Sequence, residues 1–148
     1  MKNIGQNPIC HIRHNLLARF AEYVDAEIMP DGDCVILSFP FLDLHNDIIT
    51  IFIQQVDDFF IISDDNTIIA PEWDIDAGQH TMVHKFREMF NSSSCSQENQ
   101  IQYSENDGFF CKANRETVVP ATMNMLSFLV KLTGIVEYVV VNGLSRKG

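Results

Sequence analysis

Three apolar runs follow one another with only short polar breaks between them: Cys34 to Phe41, Ile48 to Val56 and Phe59 to Ser63. Each is rich in Val, Ile and Phe, whose branched and aromatic side chains suit a pleated, half-buried surface. Between the second and third stand only Asp57 and Asp58, room for a tight hairpin and nothing longer. Strands joined that tightly run antiparallel, since a parallel crossover needs a dozen residues or more. The segment therefore predicts a three-stranded antiparallel meander.

Around the meander the periodicity changes. From about Asn7 to Val24 the apolar positions Ile9, Ile12, Leu16, Leu17, Phe20 and Val24 recur at helical spacing, with Pro8 where a first-turn proline is tolerated. Met29-Pro-Asp-Gly-Asp33 carries turn chemistry. Beyond an acidic, irregular stretch with Trp73 as an anchor, Met82, Val83, Phe86, Met89 and Phe90 predict an amphipathic helix over Gln79 to Phe90. The small polar residues from Asn91 to Asn99 read as a flexible loop. Ile101 to Tyr103 and Phe109 to Lys112 are the arms of a second hairpin, turning at Glu105-Asn-Asp-Gly108. A last helix is expected from Glu116 to Leu132, ended by Gly134. Ile135 to Val141 fits a final strand or a continued helix, and periodicity does not choose between them. The expected fold is one α+β domain over residues 1–148: N-terminal helix, three-stranded antiparallel meander, helix, hairpin and C-terminal helix.

Charge is unevenly spread. The chain of 148 residues carries a formal net charge of −10, yet no Lys or Arg falls between Arg19 and Lys85. Into that window fall Glu22, Asp25, Glu27, Asp31, Asp33, Asp43, Asp47, Asp57, Asp58, Asp64, Asp65, Glu72, Asp74 and Asp76. Such a field repels nucleic-acid phosphates and attracts basic surfaces. No apolar run approaches the roughly 20 residues that span a bilayer, and Met1 to Pro8 lacks the apolar core of a secretory signal. A cytoplasmic protein with neither membrane nor direct nucleic-acid contact is expected. Cys10, Cys34, Cys95 and Cys111 form no C-x-x-C pair, so reduced thiols are expected rather than a zinc site.

The densest polar cluster lies at the strand ends. Asp43, His45, Asn46 and Asp47 precede the second strand, and Asp64 and Asp65 follow the third. If the hairpin lays the end of the third strand beside the start of the second, these residues meet at one corner. Oxygen-rich clusters suit hard divalent ions, which activate water for phosphodiester hydrolysis. Nuclease sites also place a cation near the scissile phosphate, and this window has none. Asp and Asn equally cap strand ends by accepting hydrogen bonds from local amides. The histidine pairs His11/His14 and His80/His84 lack a third ligand, and no Glu stands between the latter two as a zinc-protease helix requires.

The stretch Phe39-Pro-Phe-Leu-Asp-Leu-His-Asn-Asp47, with the apolar strand after it and Ile61-Ile-Ser-Asp-Asp65, resembles the core of the bacterial and phage DUF1828 family, a domain of unknown function. Its members read Thr-Pro-Phe-Leu-Asp-x-His-Asn-Asp and, later, Thr-Asp-Asp-Gly. The likeness runs over residues 30–70 and departs from the pattern at Phe39, Ser63 and Asn66. The family offers no settled activity to carry over.

Two functional expectations follow. The first is a non-enzymatic acidic interaction protein, needing no cofactor, whose Asp43, Asp47, Asp57, Asp58, Asp64, Asp65, Glu72, Asp74 and Asp76 engage a basic protein surface. The occurrence of the resembled family in bacteria and phages implies a concrete version: a mobile-element inhibitor occupying the nucleic-acid-binding face of a host or defence protein. The alternative is a divalent-metal-dependent hydrolase, a nuclease, with Mg²⁺ or Mn²⁺ on Asp43, Asp47 and Asp64 and with His45 and Asp65 completing the site.

Overall fold

The computed structural model describes residues 8–42, 48–65, 77–94, 97–104 and 106–147. Helix α1 (Pro8–Tyr23) leads into strands β1 (Asp25–Ile28), β2 (Cys34–Leu42), β3 (Ile48–Val56) and β4 (Phe59–Ser63). Helix α2 (Ala77–Ser94), a 3-10 turn at Gln97–Asn99, strands β5 (Gln102–Ser104) and β6 (Gly108–Ala113), and helix α3 (Val118–Lys147) complete an α+β arrangement. The six strands form one antiparallel sheet in the order β1-β2-β3-β4-β6-β5.

The meander takes the bounds its residues suggest. Val56 pairs with Phe59 across Asp57 and Asp58, and Asp57 holds φ 54°, a left-handed conformation that Asp tolerates better than most side chains. Strand β1 is an addition. Met29 and Cys34 close a hairpin by an amide-to-carbonyl bond of 2.9 Å, with Gly32 at φ 78°, so the residues before the turn are drawn in as an edge strand.

Two expectations at the C-terminal side are corrected. The polar run after Phe90 begins as the last turn of α2, because Asn91 is pulled inward: its side-chain NH₂ donates to the Ile101 carbonyl and its oxygen accepts the Ile101 amide, both at 2.8 Å. Arg87 donates to the same carbonyl at 2.8 Å. Gly134 does not end the last helix, and residues 135–141 are helical rather than strand. A helix-interior glycine costs about 1 kcal/mol, too little to stop a helix already anchored on a core. At the other end Asn114 accepts the amides of Glu116 and Thr117 while Thr117 Oγ1 accepts that of Asn114. This reciprocal cap satisfies the Glu116 and Thr117 amides at the entry to α3.

Helix α3 rests on β3, β4 and β6, and α2 rests on α3. Ile49, Ile51, Ile62, Phe109 and Cys111 of the sheet meet Met125, Phe128, Leu129 and Leu132 of α3. Phe128 is the hub, stacked on Phe86 at 5.5 Å and edge-on to Phe90 and Phe109 at 5.3 and 5.1 Å. The first part of α3 is long and apolar enough to cross a membrane, but its Met125, Phe128, Leu129 and Leu132 are buried in this core.

Candidate functional site

The register of the β3–β4 hairpin sets Asp64 back from the start of β3. Ser63 lies opposite Phe52, well inside β3, and not opposite Ile48 at its start. Asp64 therefore extends β4 at the level of Ile51. Asp43, His45, Asn46 and Asp47, and likewise Glu72, Asp74 and Asp76, lie outside the described residues. Among the described residues, no three His, Cys, Asp or Glu side chains converge as a metal site would require.

Asp64 is fully buried, on the core side of the sheet. Its Oδ1 accepts the Phe109 amide at 2.9 Å, and its own amide donates to the Phe109 carbonyl at 3.1 Å. The carboxylate thus continues the ladder between β4 and β6 where the β4 backbone turns away. This is the capping role, met by a strand distant in sequence. Asp65, next in the chain, is exposed at φ 52°. Of the histidines, His84 stands edge-on to Tyr103 at 5.2 Å, and His11 accepts a bond from Asn15 at 3.1 Å on α1.

Other acids do come together. The β1–β2 turn and the β3–β4 turn lie side by side at one end of the sheet, joined where the Gln55 amide donates to the Asp33 carbonyl at 2.8 Å. That end presents Asp31, Asp33, Asp57 and Asp58, all exposed. Asp64 and Asp65 sit at the opposite end of β4, a strand about 17 Å long at roughly 3.3 Å per residue. The acidic surface is therefore elongated, with Asp25 and Glu27 of the exposed edge strand β1 along its side. None of these exposed acids has an ion-pair partner among the described residues, where Arg19–Glu22 on α1 pairs at 3.7 Å.

Between the acids lies the second face of the sheet. Alternation puts Cys34, Ile36 and Ser38 of β2, Phe52 and Gln54 of β3, Phe59 and Ile61 of β4, and Phe110 and Lys112 of β6 on the side away from α2 and α3. Ile36, Phe52, Ile61 and Phe110 are half-buried there, against fully buried Ile51, Ile62 and Phe109 on the other side. An antiparallel sheet with a solvated face normally turns polar residues outward. This one turns out a band of Ile and Phe rimmed by carboxylates. Lys112 stands on it, its ammonium 5.4 Å from the Phe59 ring centre. Burial, with the Asp31 and Asp65 carboxylates adding to it, raises the Cys34 thiol above its ordinary pKa.

The sequence carried a signal for this face that the corner overshadowed. In β3 and β4 the apolar residues occupy both alternations, which marks a strand with two apolar sides. Beside it, a shallow hollow of about 190 Å³ lined by Phe59, Glu98, Asn99, Lys112, Asn114 and Thr117 is smaller than the pockets of roughly 300 Å³ and more that enclose small-molecule ligands.

Comparison with family models, with curated proteins and with solved structures finds no match to this chain.

Proposed function

We propose that the chain is a binding module that engages a basic, amphipathic protein surface through the acid-rimmed second face of its sheet. The carrying observation is the juxtaposition of Ile36, Phe52, Ile61 and Phe110 with exposed Asp25, Glu27, Asp31, Asp33, Asp57 and Asp58, which have no ion-pair partner among the described residues. Apolar area supplies affinity, and the uniform negative rim supplies steering and rejects phosphate-bearing partners. The resemblance to the DUF1828 family favours a finer version, in which the basic surface is the nucleic-acid-binding face of a host or defence protein and the module acts as an inhibitor. Hydrolysis by an Mg²⁺ or Mn²⁺ centre is the lesser reading, since Asp64, one of its three expected metal ligands, is buried and engaged with the Phe109 amide.

The test uses a labelled amphipathic peptide of Leu and Lys, titrated with the full chain. Raising salt from about 0.05 to about 0.5 M, which shortens the screening length severalfold, is expected to weaken binding at least tenfold. Replacing Asp31, Asp33, Asp57 and Asp58 by Asn should remove most of that salt dependence. Binding indifferent to both would refute the reading, and metal-dependent cleavage of a nucleic acid by the chain would replace it with the hydrolase.

A further inference from the structure

Helix α1 has no buried residue, although it carries a full apolar stripe: Ile9, Ile12, Leu16 and Leu17 are 73%, 53%, 65% and 61% exposed. Its last turn leans on the fold, Phe20 lying 6.2 Å from Phe41. Most of the stability of a protein helix comes from packing its apolar face, so this stripe calls for a surface. The helix is also the basic part of the N-terminal half, with Arg13, Arg19, His11 and His14 against the single acid Glu22. The second face of the sheet has the opposite character.

The helix cannot lie over its own sheet on that side. It joins β1 through one residue, Val24, and Val24 packs against the core on the α3 side. We infer that the occupant of the acid-rimmed face is α1 of a second copy, the two copies exchanging helices about a two-fold axis. Charge complementarity selects this pairing over helix against helix, which would bring Arg13 and Arg19 of both copies together. Dimensions agree: α1 is about 24 Å long at 1.5 Å per residue, and the nine-residue strands β2 and β3 are about 30 Å. The inference rests on the reading of the face proposed above and names its resting partner, which an external basic protein would have to displace.

Sedimentation of the full chain over a range of concentrations tests it. A monomer–dimer equilibrium is expected. Leu16→Asp on α1 and Ile61→Lys on the sheet should each weaken it at least tenfold, Leu16→Asp without lowering the melting temperature of the monomer. An equimolar mixture of the two variants should regain a dimer, because one intact helix then meets one intact face. The double replacement Arg13→Glu with Arg19→Glu, at exposed positions, should weaken the dimer as well and in a salt-dependent way. A chain monomeric at every concentration, a dimer indifferent to Leu16→Asp, or a mixture that fails to reassociate would each overturn the exchange. A monomer that still binds the Leu/Lys peptide with steep salt dependence overturns the exchange alone; a chain that does neither overturns the reading of the face as well.

Discussion

Asp64→Ala separates the structural from the catalytic meaning of the acidic strand end. The substitution removes a carboxylate with no solvent exposure and leaves the Phe109 amide, also buried, without its acceptor at 2.9 Å. An orphaned buried donor costs about 1–3 kcal/mol, and bonds to a charged acceptor sit in the upper part of that range. The side chain is small, so the cavity contribution is minor. We expect a loss of about 2–3 kcal/mol, which for a chain of this size lowers the melting temperature by roughly 5–10 °C. Asp64→Asn keeps an oxygen that can accept the same amide and should lose less than Asp64→Ala. Urea denaturation followed by circular dichroism, with and without Mg²⁺ or Mn²⁺, measures both variants. The structural argument fails if Asp64→Ala is neutral or stabilising. It fails equally if a divalent ion stabilises the native chain and that response vanishes in Asp64→Ala, since relief of carboxylate repulsion would then outweigh the lost cap.

Asn91→Ala should cost about 2–3 kcal/mol in the same denaturation assay, because the Ile101 amide loses its acceptor while the Ile101 carbonyl keeps Arg87. A cost below about 0.5 kcal/mol, the range of ordinary surface changes, would show the polar stretch after Phe90 to be a loop in solution. Gly134→Ala should stabilise the chain by about 0.5–1 kcal/mol, since the position is helical and an added Cβ meets nothing within 4 Å. Destabilisation would indicate that α3 breaks there.

What the sequence determined by itself was local. The apolar runs bounded by Asp57-Asp58 fixed β3 and β4 and their pairing, and Asp-Gly at 107–108 fixed the β5–β6 hairpin. The helical stripe of α1 was equally legible, because a repeat of 3.6 needs no knowledge of what it touches. The exposure of that stripe was not. Register within a hairpin follows from its turn, but the pairing of β4 with β6 joins residues as far apart as Asp64 and Phe109, and no local pattern encodes it. That pairing is what buries Asp64 and brings the Phe109 amide to its carboxylate. Likewise Asn91, read as loop chemistry, became a helix residue only because Ile101 returned to meet it. The two acidic turns became one surface because antiparallel strands β1 to β4 bring alternate turns to the same end. A side chain's type limits what it can do; which distant backbone group it meets is settled by the packing of the whole sheet.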